Sequence, residues 1–216
     1  MIVSLNEVES LSLKAARGAG MSWGLAEEAA HAARWLAARG WTWDRSLVAL
    51  LERREQIAAP MLTGHDIRSS REGFAICPIH AGAAMADLWH VDKSVTLYNV
   101  LSPIWLVPFA YRRTAEHRSV ELTWIGGVCS IGGGGVVGAE ALGAQDALLG
   151  WIRVELKTDV SSPDVARLLT LPAISVGIQA DPAAWAALEQ WAARTYVPAS
   201  LQSRLAGAGA GLSDND

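Results

Sequence analysis

Cys77 and His80, within Cys77-Pro78-Ile79-His80-Ala81-Gly82, set a thiol three residues from an imidazole where an apolar strand pattern runs into a helical one. A cysteine at a helix N-terminus beside a histidine can ionise at neutral pH and act as a nucleophile or base. The structural alternative is a buried cysteine that closes the strand, with His80 as a polar cap, since unpaired cysteine is among the most buried residue types. A second segment, Cys129-Ser130-Ile131-Gly132-Gly133-Gly134-Gly135, supplies consecutive backbone N–H groups that no side chain screens. Such a nest can hold a carboxylate, a phosphate or a developing oxyanion, and a flexible hairpin between strands is the alternative. No Gly-Lys-Ser/Thr follows it, so it is not a phosphate-binding Walker loop. If Cys77 and Cys129 faced one pocket, they would form the thiol and thiolate of a racemase or epimerase acting on a carbon acid.

Other side chains extend the field of candidates. Lys14 and Arg17, three apart on a helix, share a face and could clamp a carboxylate, or could be a solvated pair beside Glu7 and Ser10. Trp23, Trp41 and Trp43 could cage a quaternary ammonium by cation–π attraction, although core packing or an oligomer interface also uses tryptophan. His31, His65, His80, His90 and His117 never fall into HxH or HExxH spacing, so no metal site is expected from spacing, and no motif names a cofactor. The tail over 207–216 reads as a frayed end, or as a Gly/Ala run that delivers Asp214 and Asp216 to a site.

The elements that must position these groups follow from punctuation and periodicity. Ser4 and Glu7 fit a capping box with Val3 and Val8 as its hydrophobic staple, and the helix they open ends at Gly18 or Gly20. A second helix is expected over 25–39, with Glu27 and Glu28 in its first turn and Gly40 beyond its end. A third begins at Asp44 as N-cap and buries Leu47, Leu50 and Leu51. From Gly73 onward the texture is that of strands, at 74–77, 96–100, 104–109, 119–125, 151–157 and 174–179. Val120, Leu122 and Trp124 alternate with polar neighbours, as do Ile152, Val154 and Leu156, which argues for a mainly antiparallel sheet with one wet face. Helices are expected over 81–88, 164–169 and 182–194. The fold class is α+β in a single domain over 1–216: helical over 1–60, sheet-rich over 73–180, then helix and tail over 182–216.

Composition sets the outer bounds. Of 216 residues, 51% are hydrophobic and 19% charged, inside the range of self-sufficient globular domains. A net charge of −4 gives no electrostatic support for nucleic acid or an anionic membrane. No apolar run approaches the ~20 residues of a membrane helix, and the start lacks a signal-peptide pattern, so a cytoplasmic address is expected. The two cysteines then stay reduced.

The opening Ser4-Leu5-Asn6-Glu7-Val8-Glu9, Lys14-Ala15-Ala16-Arg17-Gly18-Ala19-Gly20-Met21-Ser22-Trp23-Gly24-Leu25-Ala26-Glu27-Glu28-Ala29, and the ending Gly207-Ala208-Gly209-Ala210-Gly211-Leu212-Ser213-Asp214-Asn215-Asp216 resemble an uncharacterised proteobacterial family, a domain of unknown function. The resemblance implies a bacterial, full-length, free-standing protein and assigns no catalytic residue. The opening also bears a fainter likeness to the malate/lactate dehydrogenases unrelated to the Rossmann enzymes. Their catalytic histidine, in Ser-His-Gly, should fall near Trp43-Asp44-Arg45-Ser46, where no histidine stands, so that chemistry is not carried over. The leading expectation is an enzyme acting on a carboxylate-bearing metabolite through Cys77, His80 and Cys129, with Lys14, Arg17, Ser130, Gly132, Gly133 and Gly134 as ligand contacts. Its rival is a non-catalytic accessory or ligand-binding protein with a Trp-rich surface, and a homo-oligomer is compatible with either.

Overall fold

The computed structural model of the protein describes residues 1–88, 94–114, 119–132, 135–138, 149–157 and 177–196. Three helices open the chain after a two-residue strand β1 (Ile2–Val3): α1 (Leu5–Gly18), α2 (Trp23–Ala37) and α3 (Asp44–Glu52). The capping box at the start of α1 is complete: Ser4 Oγ accepts the Glu7 N–H at 3.2 Å, and Glu7 Oε2 accepts the Ser4 N–H at 2.7 Å. α2 starts before residue 25, because Ser22 Oγ accepts the Leu25 N–H and lets Trp23 and Gly24 join the helix. Its buried face is mostly alanine, at Ala26, Ala29, Ala33 and Ala37, and Arg34 reaches from it to Asn6 and Glu9 on α1. Asp44 is the first residue of α3 and not its N-cap, a position held by Trp43. The expected cap fails because the Asp44 carboxylate accepts N–H groups from Arg45 and Asp181 instead.

The rest of the chain supplies strands β2 (Ile57–Ala58), β3 (Pro60–Thr63), β4 (Asp66–Ser69), β5 (Ala75–Ile76), β6 (Val95–Val100), β7 (Ser119–Trp124), β8 (Gly127–Gly132), β9 (Gly135–Val137), β10 (Leu149–Lys157) and β11 (Ile178–Gln179). Helices α4 (Pro78–Leu88), α5 (Val107–Tyr111) and α6 (Pro182–Ala193) punctuate them. The main sheet runs β2-β5-β6-β10-β7-β8-β9, with β4 also beside β6 and β3 beside β4. It is antiparallel from β6 to β9 and in the β3–β4 hairpin, but β2, β4, β5 and β6 pair in parallel. The sheet is therefore mixed, and the fold is α+β. Alternation holds where it was expected: Val120, Leu122 and Trp124 on β7 and Ile152 and Val154 on β10 are buried, while Arg153 is exposed.

One expected strand is a helix. Residues 104–109 lie in a 3-10 turn over Pro103–Leu106 and in α5. A short apolar run carries no period, and here every residue from Pro103 to Ala110 is buried, so burial on all sides replaces alternation. Pro103 and Pro108 each stand in a first turn, where a missing N–H removes no helical bond. The expected helix over 164–169, the first part of the strand over 174–179 and the tail lie outside the described residues.

α6 closes the helical layer by packing on α1 and α3, and β1 pairs with β11 to bring the residues before α6 back to the start of the chain. The approach at Gly18 is close: a Cβ there would sit 1.8 Å from the Trp191 carbonyl oxygen. Gly24, on α2, faces open space. Gly18→Ala should therefore destabilise the protein by about 1–3 kcal/mol, whereas Gly24→Ala should be neutral or gain about 0.5–1 kcal/mol from helix propensity. Thermal melts of the two variants should move in opposite directions or differ by several degrees.

Candidate functional site

The sequence-derived candidates are scattered. Cys77 stands between β5 and α4, where its sulfur accepts backbone N–H groups of His80 and Ile79. Burial outweighs those bonds and pushes the thiol above its ordinary pKa. His80 is half-buried, and burial holds its imidazole below the usual value. At neutral pH the pair is thus a protonated thiol and a neutral imidazole, the opposite of an activated thiolate. Cys129 is fully buried on β8, opposite Leu122 of β7. Four strand steps separate β5 from β8, about 19 Å along the sheet at ~4.8 Å per step. That spacing weighs against one carbon held between two sulfurs.

The expected nest is a hairpin over its described residues. Ser130 pairs with Glu121 and Val137, and Gly132 pairs with Gly135, so the backbone from Cys129 to Gly132 belongs to strand ladders. Gly133 and Gly134 lie outside the described residues. Lys14 and Arg17 do not act together. Arg17 donates to the Met21 carbonyl and lies over the Trp23 ring at 4.6 Å, closing the α1–α2 corner. Lys14 lines a groove of about 380 Å³ between α1 and α6 with Glu7, Ser10, Trp185 and Glu189. The three candidate cage tryptophans are also separately engaged. Trp23 carries Arg17, Trp41 stands edge-on to Trp35 at 5.5 Å, and Trp43 is buried against Trp185.

The residues that do converge line a cleft of about 530 Å³. One wall is the end of α2 and the turn into α3, from Ala37 through Arg39, Trp41 and Trp43 to Arg45. The facing wall is 177–181, which contains β11 and the N-cap of α6. Asp181 joins the walls. Its Oδ1 accepts the Ala183 and Ala184 N–H groups at 2.9 Å each, and its Oδ2 accepts both Nε (3.1 Å) and Nη2 of Arg45. Asp44 Oδ2 in turn accepts the Asp181 N–H at 2.6 Å. The Ala184 N–H and the Arg45 guanidinium hold the Asp181 carboxyl below its ordinary 3.8.

The cationic end of the cleft is built differently. Arg39 lies 3.6 Å over the Trp35 ring and 5.0 Å from Tyr111, and donates from Nη1 to the Trp35 carbonyl at 3.1 Å. The aromatic rings that hold this guanidinium, Trp35 and Tyr111, are not the tryptophans 23, 41 and 43 expected as a cage. Burial lowers its pKa, and among the described residues no carboxylate pairs with it. Among the described residues, Arg39 Nε, Trp43 Nε1 and Trp35 Nε1 are buried without an acceptor. A buried donor left unpaired is costly, typically ~1–3 kcal/mol. Among the described residues no group of three His, Cys, Asp or Glu could hold a metal ion, and no helix is long and apolar enough to cross a membrane.

Residues 3–72 match the model of a family described as a protein of unknown function (DUF3726). The match covers α1 to α3 and the β3–β4 hairpin, hence the Arg39 to Arg45 wall of the cleft, and stops short of the Asp181 wall. No curated protein and no solved structure matches the chain.

With Cys77 and Cys129 buried, iodoacetamide at neutral pH should modify the native protein slowly and the denatured protein fast, as read by intact mass. Rapid native alkylation of Cys77 would restore the nucleophile. Asp181, whose folded pKa is depressed, contributes stability that is present above its unfolded pKa and lost as pH falls through the folded one. Asp181→Ala should therefore melt below the parent at pH 7, with the gap closing as the pH drops below about 3.8; a gap independent of pH would remove the carboxylate from the account.

Proposed function

We propose that the protein is a cytoplasmic, proteobacterial binding module for a small carboxylate-bearing metabolite, which it takes into the cleft between the α2–α3 turn and the start of α6. One observation carries the reading: Arg39, which lines this cavity, has a guanidinium that pairs with no carboxylate among the described residues. A guanidinium can only donate, so a group that binds it is an acceptor. With no carboxylate beside it among the described residues, the Arg39 charge makes an anionic oxygen the fitting acceptor. The cavity's ~530 Å³ lies within the range of small-molecule sites.

The reading favours binding over catalysis because, among the described residues, the cleft holds no poised nucleophile or base. Its two carboxylates are engaged in hydrogen bonds, and the two thiols lie elsewhere, buried in the sheet and at the start of α4. Recognition through a Trp-lined surface needs neither.

A thermal-shift screen of small mono- and dicarboxylates tests this. A ligand at ~100 times its dissociation constant adds about 2.7 kcal/mol, or roughly 5–10 °C for a chain of this size. Arg39→Gln removes the guanidinium charge, so it should weaken the best ligand about tenfold. Undiminished affinity in that variant would place the ligand elsewhere.

A further inference from the structure

We infer that the outer face of the sheet, from β3 to β7, is where two copies of this chain meet, face to face about a two-fold axis that runs along β6. The register fixes which side chains share that face. Arg68 pairs with Met61 across the β3–β4 hairpin and lies 3.6 Å over the Tyr98 ring of β6, and Tyr98 pairs with Trp151 of β10. Ile125 follows Trp124, the partner of Ile152, and so stands beside Trp151 at the β7–β8 turn. Met61, Arg68, Tyr98, Trp151 and Ile125 thus form one row across five strands, a span of about 19 Å at ~4.8 Å per step. The opposite side of these strands is core, with Ile67, Leu97, Ile152 and Trp124 buried. The row itself is open: Met61 is 50% exposed and Ile125 76%, and Tyr98 and Trp151 are half-buried. Aromatic residues, methionine and arginine are the types enriched where protein surfaces meet.

A second copy is the fitting occupant because the charges of this face complement themselves. The next outward row holds Asp66, Thr96, Arg153 and Thr123. Asp66 on β4 and Arg153 on β10 stand one strand to either side of β6, so rotation about β6 sets each against the other on the partner. Arg153 is exposed, and among the described residues no carboxylate pairs with it. Asp66 holds Arg68 through Oδ2 at 3.0 Å, which leaves Oδ1 for the partner's Arg153. The same rotation lays Arg68 on the partner's Trp151 and Met61 against the partner's Ile125. Glu121 and Glu155 face each other across β7 and β10 in the third row. An axis between those two strands would stack glutamate on glutamate, whereas the axis along β6 sets them opposite the partner's β3–β4 turn at Gly64 and His65. Two sheets stacked in this way keep their strands nearly aligned and lie about 10 Å apart. The overlap of five short strands is at the small end of specific interfaces, so the dimer is expected to be weak and reversible.

Sedimentation velocity on the full chain at pH 7, over a rising concentration series, should show a reversible monomer–dimer equilibrium; a chain that stays monomeric throughout overturns the inference. Asp66→Arg sets arginine against arginine across the axis, and Arg153→Asp sets aspartate against aspartate, so each variant alone should dimerise about tenfold more weakly or worse. An equal mixture of the two should pair about as tightly as the parent, because one of its contacts is native and the other is reversed in sign. Rescue by mixing is a result that damage to either fold does not produce. If neither variant weakens the dimer, or if the mixture fails to pair, the assignment of the face is wrong. Ile125→Asp is the second arm and tests the apolar row apart from the ion pairs. Its position in an exposed turn keeps the change out of the core, and the dimer should again weaken about tenfold; an undiminished dimer in that variant places the contact on another surface and overturns the inference.

Discussion

The Asp181 carboxylate ties together parts of the chain that lie 136 positions apart, and the cleft exists because it does. It caps α6, whose first N–H groups have no helical acceptor of their own. It also holds the Arg45 guanidinium, while its own N–H is held by Asp44 at the start of α3. α3, β11 and α6 thereby meet at one point. The β1–β11 pairing and the close contact between Gly18 and Trp191 then fix the direction in which α6 leaves it. A helix cap is usually a local device; here it is the hinge pin of a tertiary junction.

Against that well-satisfied corner, the other side of the cleft stands out for what it leaves undone. Native interiors pair nearly all of their buried polar atoms, so each exception asks for a cause. Ser12 is an isolated case within the α1–α2 packing, and a hydroxyl can turn toward a nearby carbonyl. Arg39, Trp43 and Trp35 are different in kind, because indole and guanidinium nitrogens have fixed directions and cannot accept. Cation–π contact with Trp35 and Tyr111 holds the Arg39 plane without neutralising its charge. The result is a stacked guanidinium on one wall and a completed ionic pair on the other.

Much of the scaffold was legible in the residues. The Ser4 and Glu7 capping box, the leucines of α3, the Pro182 start of α6 and the period-two alternation of β7 and β10 all encode their structure within a few positions. The β3–β4 hairpin was not, since Met61, Leu62 and Thr63 are all exposed and the strand shows no alternation to read. The run from Ile104 to Phe109 was misread as a strand because complete burial erases periodicity. For the site, sequence offered Cys77 and His80, whose spacing was right for chemistry but whose burial opposes it. Trp23, Trp41 and Trp43, read as a possible cage, are separately engaged, and Arg39 stacks instead on Trp35 and Tyr111. The pairing of Arg45 with Asp181 depends on long-range folding, and no local pattern announces it.

The two walls also differ in how they come to be formed. The Arg39 to Arg45 wall is one continuous turn between helices, within the segment that matches a family model, although Arg39 also rests on Tyr111 of α5 and Trp43 on Trp185 of α6. The Asp181 wall arrives only when α6 docks, so the cavity is complete only in the fully folded chain. A ligand that bridges the walls gains its affinity from that docked state and must therefore stabilise it, by the same linkage that couples any native-state ligand to folding. The cleft's position at this junction, more than its size, makes it the place where binding and the integrity of the helical layer are one equilibrium.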